Sequence, residues 1–190
     1  MNNKNSLIAL ALGLATFTTS ADAIVNIQIQ EIGSDVVITG SGTINTTELS
    51  AAASNDIKGL NLAFGFFTIG ASDNSYLVTV TGPGGGVLGT DGYTPATSVS
   101  GDAMGFGSGG SSIVVPVGYV SGDPLSGSGI WAGESLESLE LNVGSYSWTW
   151  GSGANADSMH VTIVPEPSSA ALLVGCAALG FASRRRKRQS

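Results

Sequence analysis

One histidine, His160, is all this chain offers for imidazole chemistry. A zinc site built on histidine needs several such ligands, and the only cysteine, Cys176, lies in an apolar stretch well downstream. A histidine can also activate a serine, but no G-x-S-x-G elbow is present. His160 therefore reads as a solvent-facing or hydrogen-bonded structural residue. Paired carboxylates can run glycoside hydrolysis, and Glu134, Glu137, Glu140, Asp102 and Asp157 are candidates by type. Their spacing follows surface turns and one helix face, which reads as solvated surface. Gly85–Asp91 is near a calcium-binding Gly/Asp repeat but is single and wrongly spaced, and no EF-hand loop occurs.

Glycines supply the next candidates. Gly84–Gly89 and Gly105–Gly110 both match G-x-G-x-x-G. A dinucleotide site needs a strand before that motif and a helix after it, because the helix N-terminus holds the pyrophosphate. The first match runs into turn residues Asp91, Gly92 and Pro95, and the second into a β-rich run. With 28 glycines in the chain, chance matches are expected, and both read as turns. No catalytic residue, cofactor or metal is assigned, and the chain is expected not to be an enzyme.

Three aromatics remain. Tyr146, Trp148 and Trp150 alternate along one run and so share a strand face. Buried, they are core; exposed, they form a flat platform for sugar rings.

The elements that must carry these residues read as all-β. Val25, Ile27 and Ile29 alternate with Asn26, Gln28 and Gln30, the period of a half-buried strand. Gly33-Ser34-Asp35 is a turn, and Val36–Thr39 resumes the strand, giving a hairpin. Further β-rich runs are 61–69, 76–81, 112–120, 145–150 and 158–164, separated by Gly-rich clusters at 82–86, 107–111 and 126–129. Short helices are expected within 46–57 and 133–141, and Pro116 places its strand at a sheet edge. Many short strands with Gly-rich turns give a single antiparallel β-sandwich or jelly roll over 24–164.

Charge narrows the partners of this middle region. Between 24 and 164 the only basic residue is Lys58, against carboxylates spread along the segment. Binding a phosphate backbone needs clustered Lys and Arg, so nucleic acid is excluded. The acidity suits a soluble exported domain.

Both ends are appendages. Met1–Lys4 is weakly basic, Leu7–Ala15 is an apolar run, and Ala21-Asp22-Ala23 is an A-x-A pattern. That is the layout of a secretory signal peptide over 1–23, cut after Ala23 and handled by the Sec translocon. At the other end, Pro165-Glu166-Pro167 precedes an apolar stretch over 168–183 and the basic cluster Arg184, Arg185, Arg186, Lys187 and Arg188. The apolar stretch can enter lipid as a helix. The cluster stays on the cytoplasmic side by the positive-inside rule. At about 1.5 Å per residue the stretch is a marginal span, which suits a transient signal.

The run VPEPSSAALLVGCAALGFASRRRKR resembles the PEP-CTERM sorting domain of Gram-negative bacteria that often make exopolysaccharide. The resemblance covers about 25 residues. It implies recognition by an exosortase, a membrane-embedded transpeptidase-like cysteine enzyme that cuts near Pro165-Glu166-Pro167 and sends the ectodomain to the cell surface. The function expected is that of an exported structural or interaction component of the cell envelope or exopolysaccharide (biofilm) matrix. The alternative is a carbohydrate-binding module using an exposed aromatic strand.

Overall fold

A computed structural model of the chain describes residues 24–165 apart from 56, 79 and 84–86. The leader with Ala21 and Ala23, and the tail with Glu166, Pro167, the apolar stretch and the basic cluster, lie outside the described residues. So does the first half of the first G-x-G-x-x-G match, Gly84 to Gly86.

The alternating N-terminal run forms the predicted hairpin, β1 (Ile24–Ile32) and β2 (Asp35–Thr43), joined by Gly33 at a φ of 65°. Small strands follow: β3 (Ser50–Asn55), β4 (Gly59–Asn61), β5 (Phe66–Ile69), β6 (Asn74–Val78), β7 (Tyr93–Pro95), β8 (Ser98–Gly101), β9 (Met104–Gly107) and β10 (Ser112–Pro116). Three longer strands close the domain: β11 (Pro124–Ala132), β12 (Gly144–Trp150) and β13 (Asp157–Val164). They assemble into two packed sheets. One has six strands in the order β12-β13-β1-β2-β11-β8; the other has seven, β3-β6-β10-β9-β5-β4-β7. All pairings are antiparallel except β1 with β13, which run parallel from Ile24 beside Ser158 to Gln30 beside Val164.

The core lies between the sheets. Val25, Ile27 and Ile29 of β1 face it with Met159, Val161 and Ile163 of β13, and Phe67, Ile69, Met104 and Phe106 face it from the other side. Fully burying such a side chain stabilises the fold by about 1.5–3 kcal/mol. The sheets meet ring to ring, with Phe106 3.8 Å from Trp148 between centroids and 5.2 Å from Phe67 in an edge-on pair.

Several local expectations are corrected. The cluster Ser126–Gly129 is not a turn but the middle of β11. Its glycines face inward: a Cβ on Gly127 would sit 2.2 Å from the Asp102 carbonyl oxygen, and one on Gly129 2.9 Å from the Trp131 ring. Glycine here admits a close neighbour rather than a bend. No α-helix occurs among the described residues. Thr46–Ile57 holds a turn and β3, and 133–141 is a chain of turns entered by Gly133 at φ 76° and left by Glu140 at φ 49°. Those left-handed residues stop a helix from extending past either end of this short stretch, while Leu136, Leu139 and Leu141 still plug the core. Pro116 does not mark an edge, because β10 pairs with both β6 and β9. It is the last residue of β10, and the β9 pairing has already ended at Val114.

Candidate functional site

The aromatic row points inward. Trp148 is 2% exposed and Trp150 4%, while Tyr146 is half-buried and packs against the same core. The Trp150 indole N–H donates to the Asn45 carbonyl at 2.9 Å, and the Tyr146 hydroxyl donates to the Asn142 carbonyl at 2.9 Å. Two glycines seat Trp148: a Cβ on Gly82 would lie 2.2 Å from its Cδ1, and one on Gly110 3.1 Å from its Nε1. The exposed sugar platform required by the alternative reading is therefore not the arrangement found. Burial in the core gives the rings more apolar contact than a solvent-facing row would. The second G-x-G-x-x-G match also has a packing role. It spans β9 and a 3-10 turn at Ser108–Gly110, and β10 follows rather than a helix.

His160 lies on the outer face of β13, with Ser147 Oγ 2.7 Å from its Nδ1 and Ser158 Oγ 3.1 Å from its Nε2. Two hydroxyls thus hold the ring.

The candidate carboxylates do not converge. Glu134 accepts from the Ser138 hydroxyl at 2.6 Å, Glu140 accepts from the Thr90 hydroxyl, and Asp102 accepts from the Ser126 N–H at 2.9 Å. No group of three His, Cys, Asp or Glu side chains placed to hold a metal occurs among the described residues.

Two anchors stand out. Asp157, expected on the solvated surface, is instead buried, and its carboxylate accepts the Asn45 and Ser158 N–H groups, each at 2.6 Å. It occupies an inward position of the 157-159-161-163 alternation, and that parity was the available signal. Tyr119 ties two loops: its hydroxyl accepts from the Ile44 N–H at 3.0 Å and donates to the Asp123 carbonyl at 2.6 Å. Burial pushes its phenol above the ordinary value, opposed by the bond to the Ile44 backbone.

The outer face of the six-stranded sheet is lined by polar rows. In register across its strands run Ser145, Thr162, Gln28, Thr39, Ser128 and Ser100. The next row toward the Ile24 end holds Ser147, His160, Asn26, Ser41 and Ser126. Between them opens a shallow cavity of about 690 Å³ floored partly by Gly40, Gly101 and Gly127. The same glycines let the core approach from behind, since a Cβ on Gly40 would meet Met104 Sδ at 2.2 Å. Every side chain lining the cavity is uncharged, so it offers hydroxyl and amide groups that both donate and accept.

The sorting motif begins where the fold ends. β13 stops at Val164 and Pro165 is exposed, so no linker separates the sheet from the motif. Searches among curated proteins and among solved structures return no match for this chain. Residues 164–187 match the family model described as the PEP-CTERM protein-sorting motif, so the chain carries that motif and is an exported exosortase substrate with a membrane-anchored intermediate.

Proposed function

We propose that the ectodomain is a non-catalytic structural or interaction component of the cell envelope or exopolysaccharide matrix of a Gram-negative bacterium. The observation that carries this reading is the direct junction of a sandwich-like domain with the sorting motif at Val164–Pro165. The motif routes the domain to the surface. The scattered, individually bonded carboxylates and the hydroxyl-held His160 favour a binding or structural role over catalysis. An interaction with neutral polysaccharide is favoured by the uncharged cavity on the six-stranded sheet. The acidity of the domain would repel an anionic polymer, whereas hydroxyls and amides suit a neutral one.

The test is the intact mass of the surface-exposed protein, compared with that of Pro165→Ala combined with Pro167→Ala. The natural chain should start at Ile24 and end near Pro165. The double variant should stay uncut in the membrane fraction. Normal maturation of the double variant would replace exosortase processing with a plain membrane anchor. Failure of the mature domain to be retained on the host's polysaccharide would remove the matrix reading.

A further inference from the structure

The outer face of the six-stranded sheet changes character along its strands. Its middle and Ile24-side rows are hydroxyls, amides and His160. At the opposite end, where β13 stops, the register brings together Val164, Gln30, Val37, Ile130 and Ser98. Val143 continues the row, one step beyond the last pair of β12 and β13, Gly144 with Ile163. Val143 is 57% exposed, and Ile32, at the end of β1 beyond this row, is 49% exposed. Val37, Ile130 and Val164 are each half-buried. One end of this face thus carries an aliphatic band, where the other end exposes Ile24 alone among large apolar residues, and that band contains the residue from which the chain leaves the fold.

The length of chain beyond that residue fixes what the band can meet. Only Pro165, Glu166 and Pro167 stand between Val164 and Ser168, where the apolar stretch begins. Four Cα steps reach at most about 14 Å. While the tail is anchored, Val164 therefore lies within that distance of the point where the chain enters lipid, and the rest of the band follows from it across neighbouring strands about 4.8 Å apart. A second copy of the domain, with sheets about 10 Å apart and side chains on both outer faces, does not fit between band and bilayer. Glu31 and Asp35, beside the band in the β1–β2 hairpin, are acidic, so the contact with lipid is apolar and anionic headgroups oppose it.

We propose that this band docks on the lipid surface of the inner membrane for as long as the sorting tail anchors the chain. The proposal rests on the membrane-anchored intermediate and adds an orientation to it: the aliphatic end of the sheet sits on the bilayer, and the polar rows stand away from it. A short tether holds the band at an effective concentration on the order of millimolar. A contact too weak to hold a free domain is then occupied. Cutting near Pro165 removes the tether, and the domain lets go without any change in its fold.

The test uses the full-length precursor carrying Cys176→Ser, reconstituted into phosphatidylcholine vesicles without the sorting enzyme. An environment-sensitive fluorophore is placed on Val143→Cys, just before β12, or, as the polar-row control within β12, on Ser147→Cys. The expected result is a blue-shifted emission at 143, quenched at least twofold more by lipid-borne nitroxide than emission at 147. Adding Val37→Thr and Ile130→Thr, which keep β-branched side chains in place, should bring the two positions closer together. Equal quenching at 143 and 147 in a chain that resists alkaline carbonate would overturn the proposal alone. Shielding at 143 that rises with protein density instead of lipid would assign the band to a second copy and also overturn it. A chain that carbonate releases from the vesicles would overturn the membrane-anchored intermediate itself, and the proposal with it.

Discussion

The two sheets solve the same packing problem differently. The six-stranded sheet is built mainly of strands of seven to nine residues that bury one face and wet the other, as in the alternation of β13. The seven-stranded sheet uses strands of three to six residues. At its centre both faces are buried: all four residues of β9 are, as are Ser112–Val115 of β10. On the side away from the six-stranded sheet, Ala103 and Val114 form a small second cluster with Phe66. Thr68 and Ser112 hydroxyls are buried there without a hydrogen-bond partner among the described residues. A sheet wetted on one face advertises itself by period two, and a sheet buried on both faces does not. The comparison teaches that the polar surface and the chain exit belong to one sheet, while the other serves as internal support.

Three substitutions bear on that comparison. The largest effect is expected at the junction of the sheets. Trp148→Ala removes the ring stacked on Phe106 and should cost roughly 3–5 kcal/mol. A domain of this size has about 5–15 kcal/mol in total, so thermal melting of the exported protein should fall steeply. An unchanged melting temperature would mean that the sheets do not meet at this ring. Next comes Val114→Ala on the outer side of the seven-stranded sheet. Loss of two buried carbons and the resulting cavity should cost roughly 1–3 kcal/mol in a denaturant titration. The smallest effect is expected at Thr39→Ala, on the wet face of the six-stranded sheet, which should stay within about 0.5 kcal/mol of the natural chain. Equal costs at Val114 and Thr39 would erase the distinction between the sheets.

Legibility in the sequence followed the same divide. β1, β12 and β13 were readable because, away from their ends, a polar residue separates each pair of apolar ones, and β2 followed from the turn at Gly33-Ser34-Asp35 before it. β9 was not, because Met104-Gly105-Phe106-Gly107 shows turn-forming glycines where the structure uses them for close strand approach: a Cβ on Gly105 would sit 2.0 Å from the Phe67 carbonyl oxygen. β11 was hidden for the same reason at Gly127 and Gly129. The aromatic row was readable as one face, but alternation cannot say which face is wet, and only the facing Phe106 decides it. The sorting motif was legible because its information is local and ordered. The uncharged cavity was not, because its residues come from five strands that register alone brings together.

The parallel pairing of β1 and β13 has a consequence for timing. The first and last strands of the ectodomain are neighbours in the middle of one sheet, so β1-β2-β11-β8 and β12-β13 remain separate halves until Val164 has arrived. A chain threaded across a membrane from its N-terminus cannot complete this sheet while any of β13 is still inside. Contacts that span so much sequence also form slowly. The polypeptide therefore stays threadable through transit and closes only at the moment its sorting motif emerges. A chain released early, short of Asp157, lacks both the strand that completes the sheet and the address that follows it.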